Sequence, residues 1–158
     1  MRNRQEGRAR VLSATHDSDK RLWWGRRIAE KDSSMKLVSI PANPVPEGAV
    51  AGILKTPDGK SIRFARWPSP SGRKGTVCVF QGRIEFIEKY FEIVRDLNAR
   101  GFAVATLDWR GQGLSDRMLR ERRKGHVANF AEYDIDLETF MRDVVLPDCP
   151  PPLFGLAN

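Results

Sequence analysis

The chain has 158 residues, of which 41% are hydrophobic and 30% are charged. This balance is typical of a single folded domain and excludes a disordered or low-complexity chain. No apolar run approaches the ~20 residues of a membrane-spanning helix, and the N-terminus lacks the apolar segment of a signal peptide. The two cysteines, Cys78 and Cys149, are too few for a disulfide framework or a zinc site. We therefore expect a cytoplasmic protein without a metal or a cofactor.

The net charge of +7 is concentrated in two places. Residues 1–35 carry nine basic and five acidic side chains. A second basic cluster comprises Arg117, Arg120, Arg122, Arg123 and Lys124. Such clusters are either solvated loops or surfaces for polyanions or phospholipid headgroups. Apart from Trp23 and Trp24 they lack the interleaved aromatic side chains that stack on bases, so we expect no nucleic acid, while peripheral contact with a membrane surface stays open.

Residues 1–34 have neither helical nor strand periodicity, apart from an apolar island at Leu22–Trp24. We expect this segment to be a disordered extension, or to lie upstream of the true start, because Met35 is followed by a credible N-terminal sequence. Residues 35–158 are then the folded domain.

Strands dominate the first part of that domain. Apolar runs at Val50–Lys55 and Ser61–Trp67 flank Pro57-Asp58-Gly59, in which proline presets φ and glycine accepts a positive φ. This pattern predicts an antiparallel hairpin. A basic, serine-rich turn then leads to a third strand at Thr76–Phe80.

Helices and strands alternate after the third strand. Apolar residues at three- and four-residue spacing predict helices at about 86–99 and 130–146,. Between them, Phe102–Leu107 is a short apolar run followed by a glycine-bearing polar loop, as in a buried parallel strand. A further apolar run begins at Leu153. The alternation predicts an α/β fold in which an antiparallel hairpin is followed by parallel strands with right-handed crossover helices.

Three local signals suggest chemistry, and each is outweighed by a structural interpretation. Gly111-Gln112-Gly113 lacks the third glycine of a dinucleotide-binding loop. Ser115 has a glycine two residues before it but none two residues after it, so it is not in a nucleophile elbow. His126 has no such serine to activate. We therefore interpret Ser115 as a hydroxyl that braces the loop and His126 as a loop histidine near a helix start.

Several of these segments together resemble a known family. The segments, in chain order, are Pro57-Asp58-Gly59, Phe80-Gln81-Gly82-Arg83, Glu85-Phe86-Ile87-Glu88-Lys89-Tyr90, Asp108-Trp109-Arg110-Gly111-Gln112-Gly113-Leu114-Ser115 and Gly125-His126-Val127. In this order and spacing, from about residue 56 to 157, the chain resembles the N-terminal half of an α/β-hydrolase of the lysophospholipase and monoacylglycerol-lipase group.

The resemblance implies a serine carboxylic ester hydrolase that forms an acyl-enzyme from lipid-like esters. It places Gln81-Gly82 where the family has an oxyanion-hole loop, so the Arg83 backbone N–H is the implied donor. Asp108 to Ser115 is implied to be scaffold. The family's serine, acid and histidine would all follow Asn158, so we expect no catalytic residue within this chain. Residues 35–158 would then be a truncated domain that is inactive alone. The alternatives are a truncated product without a catalytic role, and a basic polyanion-binding module.

Overall fold

The computed structural model describes residues 37–69 and 74–158. The expectation of disorder or an upstream position for residues 1–34 lies outside these residues. Five strands form one mixed sheet, and their bounds are β1 Val50–Lys55, β2 Ser61–Trp67, β3 Thr76–Phe80, β4 Ala103–Leu107 and β5 Leu153–Ala157. Their order in the sheet is β1-β2-β4-β3-β5. The first two pairings are antiparallel and the last two are parallel, which confirms the predicted α/β sheet.

The predicted hairpin is confirmed by the register of β1 and β2. Lys55 pairs with Ser61 at the closed end of the hairpin. Within the turn, the Thr56 hydroxyl donates to Asp58 Oδ1 at 2.5 Å and accepts from the Lys60 N–H at 2.9 Å. The hairpin therefore depends on side-chain hydrogen bonds as well as on Pro57 and Gly59.

The first crossover begins with a 3₁₀ turn at Ile87–Tyr90 and continues as helix α1, Phe91–Ala99. Gly101 follows the end of the helix with a φ of 90°, a conformation that glycine adopts freely and that strains other residues,. The Phe102 N–H donates to the Leu97 carbonyl at 3.0 Å. Because Phe102 still closes the helix, β4 starts at Ala103, one residue later than predicted.

The second crossover is helix α2, Ala131–Phe140, which continues as a π-helical segment, Met141–Val145, and a last turn, Leu146–Asp148. The predicted helix at about 130–146 is confirmed in position. Pro147 has no N–H to donate to the carbonyl four residues earlier, but the Cys149 N–H donates to the Val145 carbonyl at 2.9 Å and closes this last turn.

The two helices cover opposite faces of the sheet. The core on the α1 side contains Ala65, Trp67, Val77, Val79, Ile87, Tyr90, Phe91, Val94 and Val104. The core on the α2 side contains Leu54, Ile62, Phe64, Cys78, Ala105, Leu107, Phe140, Val144, Val145 and Cys149. Adjacent strand residues such as Val77 and Cys78 point to opposite cores, as the period of two in a strand requires. Burial raises the pKa of the Cys78 thiol to about 11, so this thiol packs as a small apolar group in the core.

Strand β5 is the exposed edge of the sheet. All five of its residues are exposed, and among the described residues it pairs with β3 alone. In the described part of the chain, no helix has the length and apolar character needed to cross a membrane.

Candidate active site at the carboxyl edge of the sheet

Strands β3, β4 and β5 are parallel, so their carboxyl ends meet at one edge of the sheet. Open α/β sheets bind their ligands at this edge. Three segments lie there: the loop 81–86 after β3, the turn 108–116 after β4, and Asn158 after β5.

The turn after β4 is organised by Asp108, which is fully buried. Its carboxylate accepts hydrogen bonds from Arg63 Nε at 2.7 Å, from the Ile87 N–H at 2.9 Å and from the Leu114 N–H at 2.8 Å. Burial raises the pKa of this carboxyl, and the Arg63 guanidinium and the backbone donors act in the opposite direction. Asp108 is inaccessible to a substrate and holds the two loops against β2.

Arg63 extends this network to the first crossover. Its two terminal nitrogens each donate to a carboxylate oxygen of Glu88 at 2.8 Å. The bidentate geometry is the stronger form of an arginine–carboxylate pair. One arginine on β2 thus joins Asp108 after β4 to Glu88 before α1.

The position of the Asp108 carboxylate leaves room only for a glycine at residue 113. It has a φ of 48°, and a Cβ built on it would lie 2.0 Å from Asp108 Oδ2. The glycine that resembled part of a dinucleotide-binding loop therefore has a steric role in the turn.

Ser115 and His126 have the roles expected from the sequence. The Ser115 hydroxyl, which is buried, donates to the Asp108 carbonyl at 2.5 Å and accepts from the Arg63 N–H at 2.8 Å. It braces the turn and is not a nucleophile. The His126 side chain is exposed, and no described residue hydrogen-bonds to it. It therefore does not act as a general base for the Ser115 hydroxyl.

Sequence reasoning missed a second ionic network, centred on Arg110. Its buried guanidinium donates to Asp136 Oδ1 at 2.7 Å, to Asp58 Oδ2 at 2.7 Å and to Glu132 Oε2 at 3.0 Å. The partner carboxylates raise the pKa of Arg110 against the opposing effect of burial. The spacing of Glu132 and Asp136, one turn apart on α2, was an available signal for such a partner.

The loop after β3 contains the residues that the resemblance assigns to an oxyanion hole. The Gln81 side chain is buried and donates to the Thr106 hydroxyl at 3.3 Å, while the Gln81 carbonyl accepts from Trp109 Nε1 at 3.0 Å. Gly82 makes room for its neighbours, because a Cβ built on it would lie 3.3 Å from Glu85 Oε2. Arg83 is exposed, and no described group accepts a hydrogen bond from its backbone N–H.

Glu85 fixes the position of this loop, a role that the sequence did not reveal. Its Oε2 accepts from the Gly82 N–H at 2.9 Å, from the Tyr90 hydroxyl in a short hydrogen bond, and from Asn158 Nδ2 at 3.3 Å. These donors, Tyr90 first, hold the pKa of Glu85 down to about 2. The Asn158 N–H also donates to the Phe80 carbonyl at 3.3 Å, so the end of β5 lies beside the loop after β3.

Ile84 completes the loop in an unusual conformation. Its φ is 65°, a region in which a β-branched residue is strained. Gln112 holds this backbone in place, since its Oε1 accepts from the Ile84 N–H at 2.5 Å and from the Glu85 N–H at 3.3 Å. The strain falls on the residue that follows the implied oxyanion donor.

The sequence of this chain is similar to part of the sequence of a known protein. Lysophospholipase L2 of Escherichia coli strain K12 is 39% identical over 90 residues, which are 57% of this chain and 26% of that protein. The chain thus spans about a quarter of the length of the curated relative it matches.

Two solved structures are similar to this chain over 34% and 48% of their own length. A soluble variant of monoglyceride lipase from Saccharomyces cerevisiae, in complex with a substrate analog, has a TM-score of 0.52 and 25% identity over 69% of this chain and 34% of that one. An esterase of Pyrococcus furiosus has a TM-score of 0.51 at 16% identity over 76% of this chain and 48% of that one, and it supports the fold alone. The profile of the family described as serine aminopeptidase, S33, matches residues 71–158. Since this match covers more than half of the chain, the chain belongs to this family of α/β-hydrolases, as the resemblance implied.

Proposed function

We propose that this chain is the N-terminal part of a carboxylic ester hydrolase of the lysophospholipase or monoacylglycerol-lipase type. One observation carries the proposal: Asn158, at the end of β5, donates from Nδ2 to Glu85, the residue that also binds the Gly82 N–H. A nucleophile that followed β5 would therefore emerge beside the loop that holds the Arg83 N–H.

The Arg83 backbone N–H is the proposed oxyanion donor of this chain. It lies in an exposed loop at the carboxyl edge of the sheet and has no acceptor among the described residues. The neighbouring peptides are held in place, at Gly82 by Glu85 and at Ile84 by Gln112. A donor fixed before the reaction stabilises a developing alkoxide without reorganisation, and loss of one such donor costs about 10²–10³ in kcat.

The reaction would proceed through an acyl-enzyme. A serine activated by a histidine attacks the ester carbonyl, and the carbonyl oxygen becomes an oxyanion that accepts from the Arg83 N–H. Collapse of this intermediate expels the alcohol, which takes the proton from the histidine. Water then hydrolyses the acyl-serine by the same route. The serine, acid and histidine are proposed to follow Asn158 in the chain, in the order usual for α/β-hydrolases.

A lipid-like ester is the proposed substrate class. The names of the lysophospholipase and the monoglyceride lipase, at 39% and 25% identity, support it. The family description, serine aminopeptidase, makes an aminoacyl amide the alternative to be tested.

A chimera tests the proposal. The 90 aligned residues of Escherichia coli lysophospholipase L2 are replaced by their counterparts from this chain, and hydrolysis of a lysophospholipid, a monoacylglycerol and an aminoacyl p-nitroanilide is measured. We expect ester hydrolysis. Arg83→Pro, which removes the N–H, should lower kcat about 10²–10³-fold, whereas Arg83→Ala, which keeps the N–H, should change it only a few-fold.

Three results would contradict the proposal. They are a folded chimera that hydrolyses no ester, equal effects of Arg83→Pro and Arg83→Ala, and hydrolysis of a p-nitrophenyl ester by residues 1–158 alone. The last result would show that the nucleophile lies within this chain.

A further inference from the structure

A cleft of about 640 Å³ lies between the loop after β3, the turn after β4 and the segment before β1. We call it the arginine cleft and define it by six of its lining residues, which are Ile84, Phe86, Leu114, Arg117, Arg122 and Arg123. The groups that carry the proposed reaction, namely the Arg83 N–H, Gly82 and Asn158, are not among its lining residues.

Apolar side chains at the arginine cleft are exposed to an unusual degree. Ile84 is 75% exposed, and Val38 and Ile40, which also line the cleft, are 55% and 53% exposed. Phe86 and Leu114 are exposed as well. Several large exposed apolar residues around one concavity indicate an interaction surface, whereas single ones do not.

The backbone of Ile84 is strained in the conformation that exposes its side chain. A β-branched residue at a φ of 65° is strained,, and Gln112 maintains the strain through hydrogen bonds to two successive N–H groups. Strain that the surroundings enforce is found at functional sites. The strained residue is also the most exposed apolar side chain of the cleft.

The positive charge of the cleft is not neutralised within the described residues. Arg122 and Arg123 have no carboxylate partner there, and Arg117 donates only to the Gly111 and Gly113 carbonyls, at 2.8 and 3.1 Å. The two carboxylates that line the cleft are already engaged. Glu88 is paired with Arg63, and Glu85 accepts from Gly82, Tyr90 and Lys89.

We propose that the arginine cleft docks the protein on an anionic lipid surface. Its apolar side chains would enter the boundary between headgroups and acyl chains, and its arginines would contact lipid phosphates. This combination of buried apolar area and attraction to anionic lipid is how peripheral proteins bind membranes. A nucleic acid fits less well, because the cleft offers one aromatic ring, Phe86, for base stacking. The proposal does not depend on the hydrolase function.

Sedimentation of the full chain with lipid vesicles tests the proposal. One set of vesicles contains phosphatidylcholine alone, and the other contains phosphatidylcholine with 30 mol% phosphatidylglycerol. We expect binding to the anionic vesicles that weakens with added salt. Arg122→Gln/Arg123→Gln should weaken it about 25-fold, since a basic residue near an anionic surface contributes about fivefold.

Each change has a matched control outside the cleft. Arg100→Gln/Arg142→Gln removes the same charge from two exposed arginines that are already paired with aspartates, and it should weaken binding much less. Ile84→Asn relieves the left-handed strain while it removes the apolar side chain, and it should weaken binding about fivefold. Leu146→Asn, at an exposed leucine on the last turn after α2, should leave binding unchanged. Circular dichroism checks that each variant is folded.

Three outcomes would overturn the proposal. Equal binding to both kinds of vesicle would exclude recognition of anionic lipid. Equal losses from the two arginine pairs would assign binding to net charge. Binding of heparin that depends on Arg122 and Arg123 but not on Ile84, without vesicle binding, would identify a polyanion site instead.

Discussion

The turn after β4 and strand β5 differ in how far their residues are buried and hydrogen-bonded to the rest of the molecule. In the turn, the Asp108 carboxylate and the Ser115 hydroxyl are buried and hydrogen-bonded to residues distant in sequence. In β5 every residue is exposed, and β3 is its one neighbour among the described residues. The turn is therefore sensitive to changes of single atoms, whereas β5 should tolerate substitution and expose a surface for association.

The largest loss of stability is expected from a substitution at Asp108. Asp108→Asn should destabilise the protein by about 3–5 kcal/mol, because it leaves a buried arginine with one fewer counter-charge. Asp134→Asn, at an exposed position on α2, is the matched control and should change stability by less than ~0.5 kcal/mol. Urea denaturation at pH 7 measures both. Similar midpoints for the two variants would show that the buried network contributes little.

A smaller loss is expected at Gly113. Gly113→Ala places a methyl group against the Asp108 carboxylate in addition to straining the backbone, whereas Gly59→Ala, at a φ of 81°, meets no atom within 4 Å. Left-handed strain alone costs about 1–2 kcal/mol, so Gly59→Ala should lose about that much and Gly113→Ala clearly more. Equal losses in urea denaturation would mean that the carboxylate moves aside without cost.

The contribution of Glu85 to the stability of the folded state should depend on pH. Because its pKa is lowered from 4.5 to about 2, ionised Glu85 stabilises the folded state above pH 4.5, and this contribution disappears as the pH falls through 2. The difference in thermal midpoint between the wild type and Glu85→Gln should therefore shrink over that range. Glu47→Gln, at an exposed glutamate, is the matched control for the loss of one negative charge. A constant difference for Glu85→Gln would exclude a role for its charge.

The smallest change in stability is expected in β5. Leu156→Lys, at a residue that is 43% exposed, should alter the free energy of unfolding by no more than about 0.5 kcal/mol. It should nevertheless reduce concentration-dependent association, because a lysine on an edge strand opposes pairing with another chain. Leu146→Lys adds the same charge outside the sheet. If light scattering shows the same reduction for both variants, net charge rather than the edge would be responsible.

The sequence was sufficient to predict the strands, the hairpin and the crossover helices. The bounds of β1, β2 and β3 follow from apolar runs that end at turn residues, and local signals of this kind determine hairpins and short buried strands. The start of β4 was one residue early, because the hydrogen bond from Phe102 to Leu97 that closes α1 cannot be read from hydrophobicity.

The candidate site was only partly predictable. The position of the loop at Gln81 to Arg83 followed from the resemblance, and the role of Arg83 stays a prediction. The importance of Glu85 and Arg110 was missed, because their partners come from several elements that approach one another only after folding. Asn158, which binds Glu85, is 73 residues away in the chain. The strained φ of Ile84 was missed as well, since no glycine marks it.

Arg110 also has a consequence for how the molecule opens. It connects the hairpin turn at Asp58, 52 residues earlier, to Asp136 on α2, 26 residues later. Neither element can separate from the sheet without leaving a buried guanidinium short of a counter-charge. The hairpin turn and the second crossover should therefore exchange their amide hydrogens as one cooperative unit, although they lie far apart in the sequence.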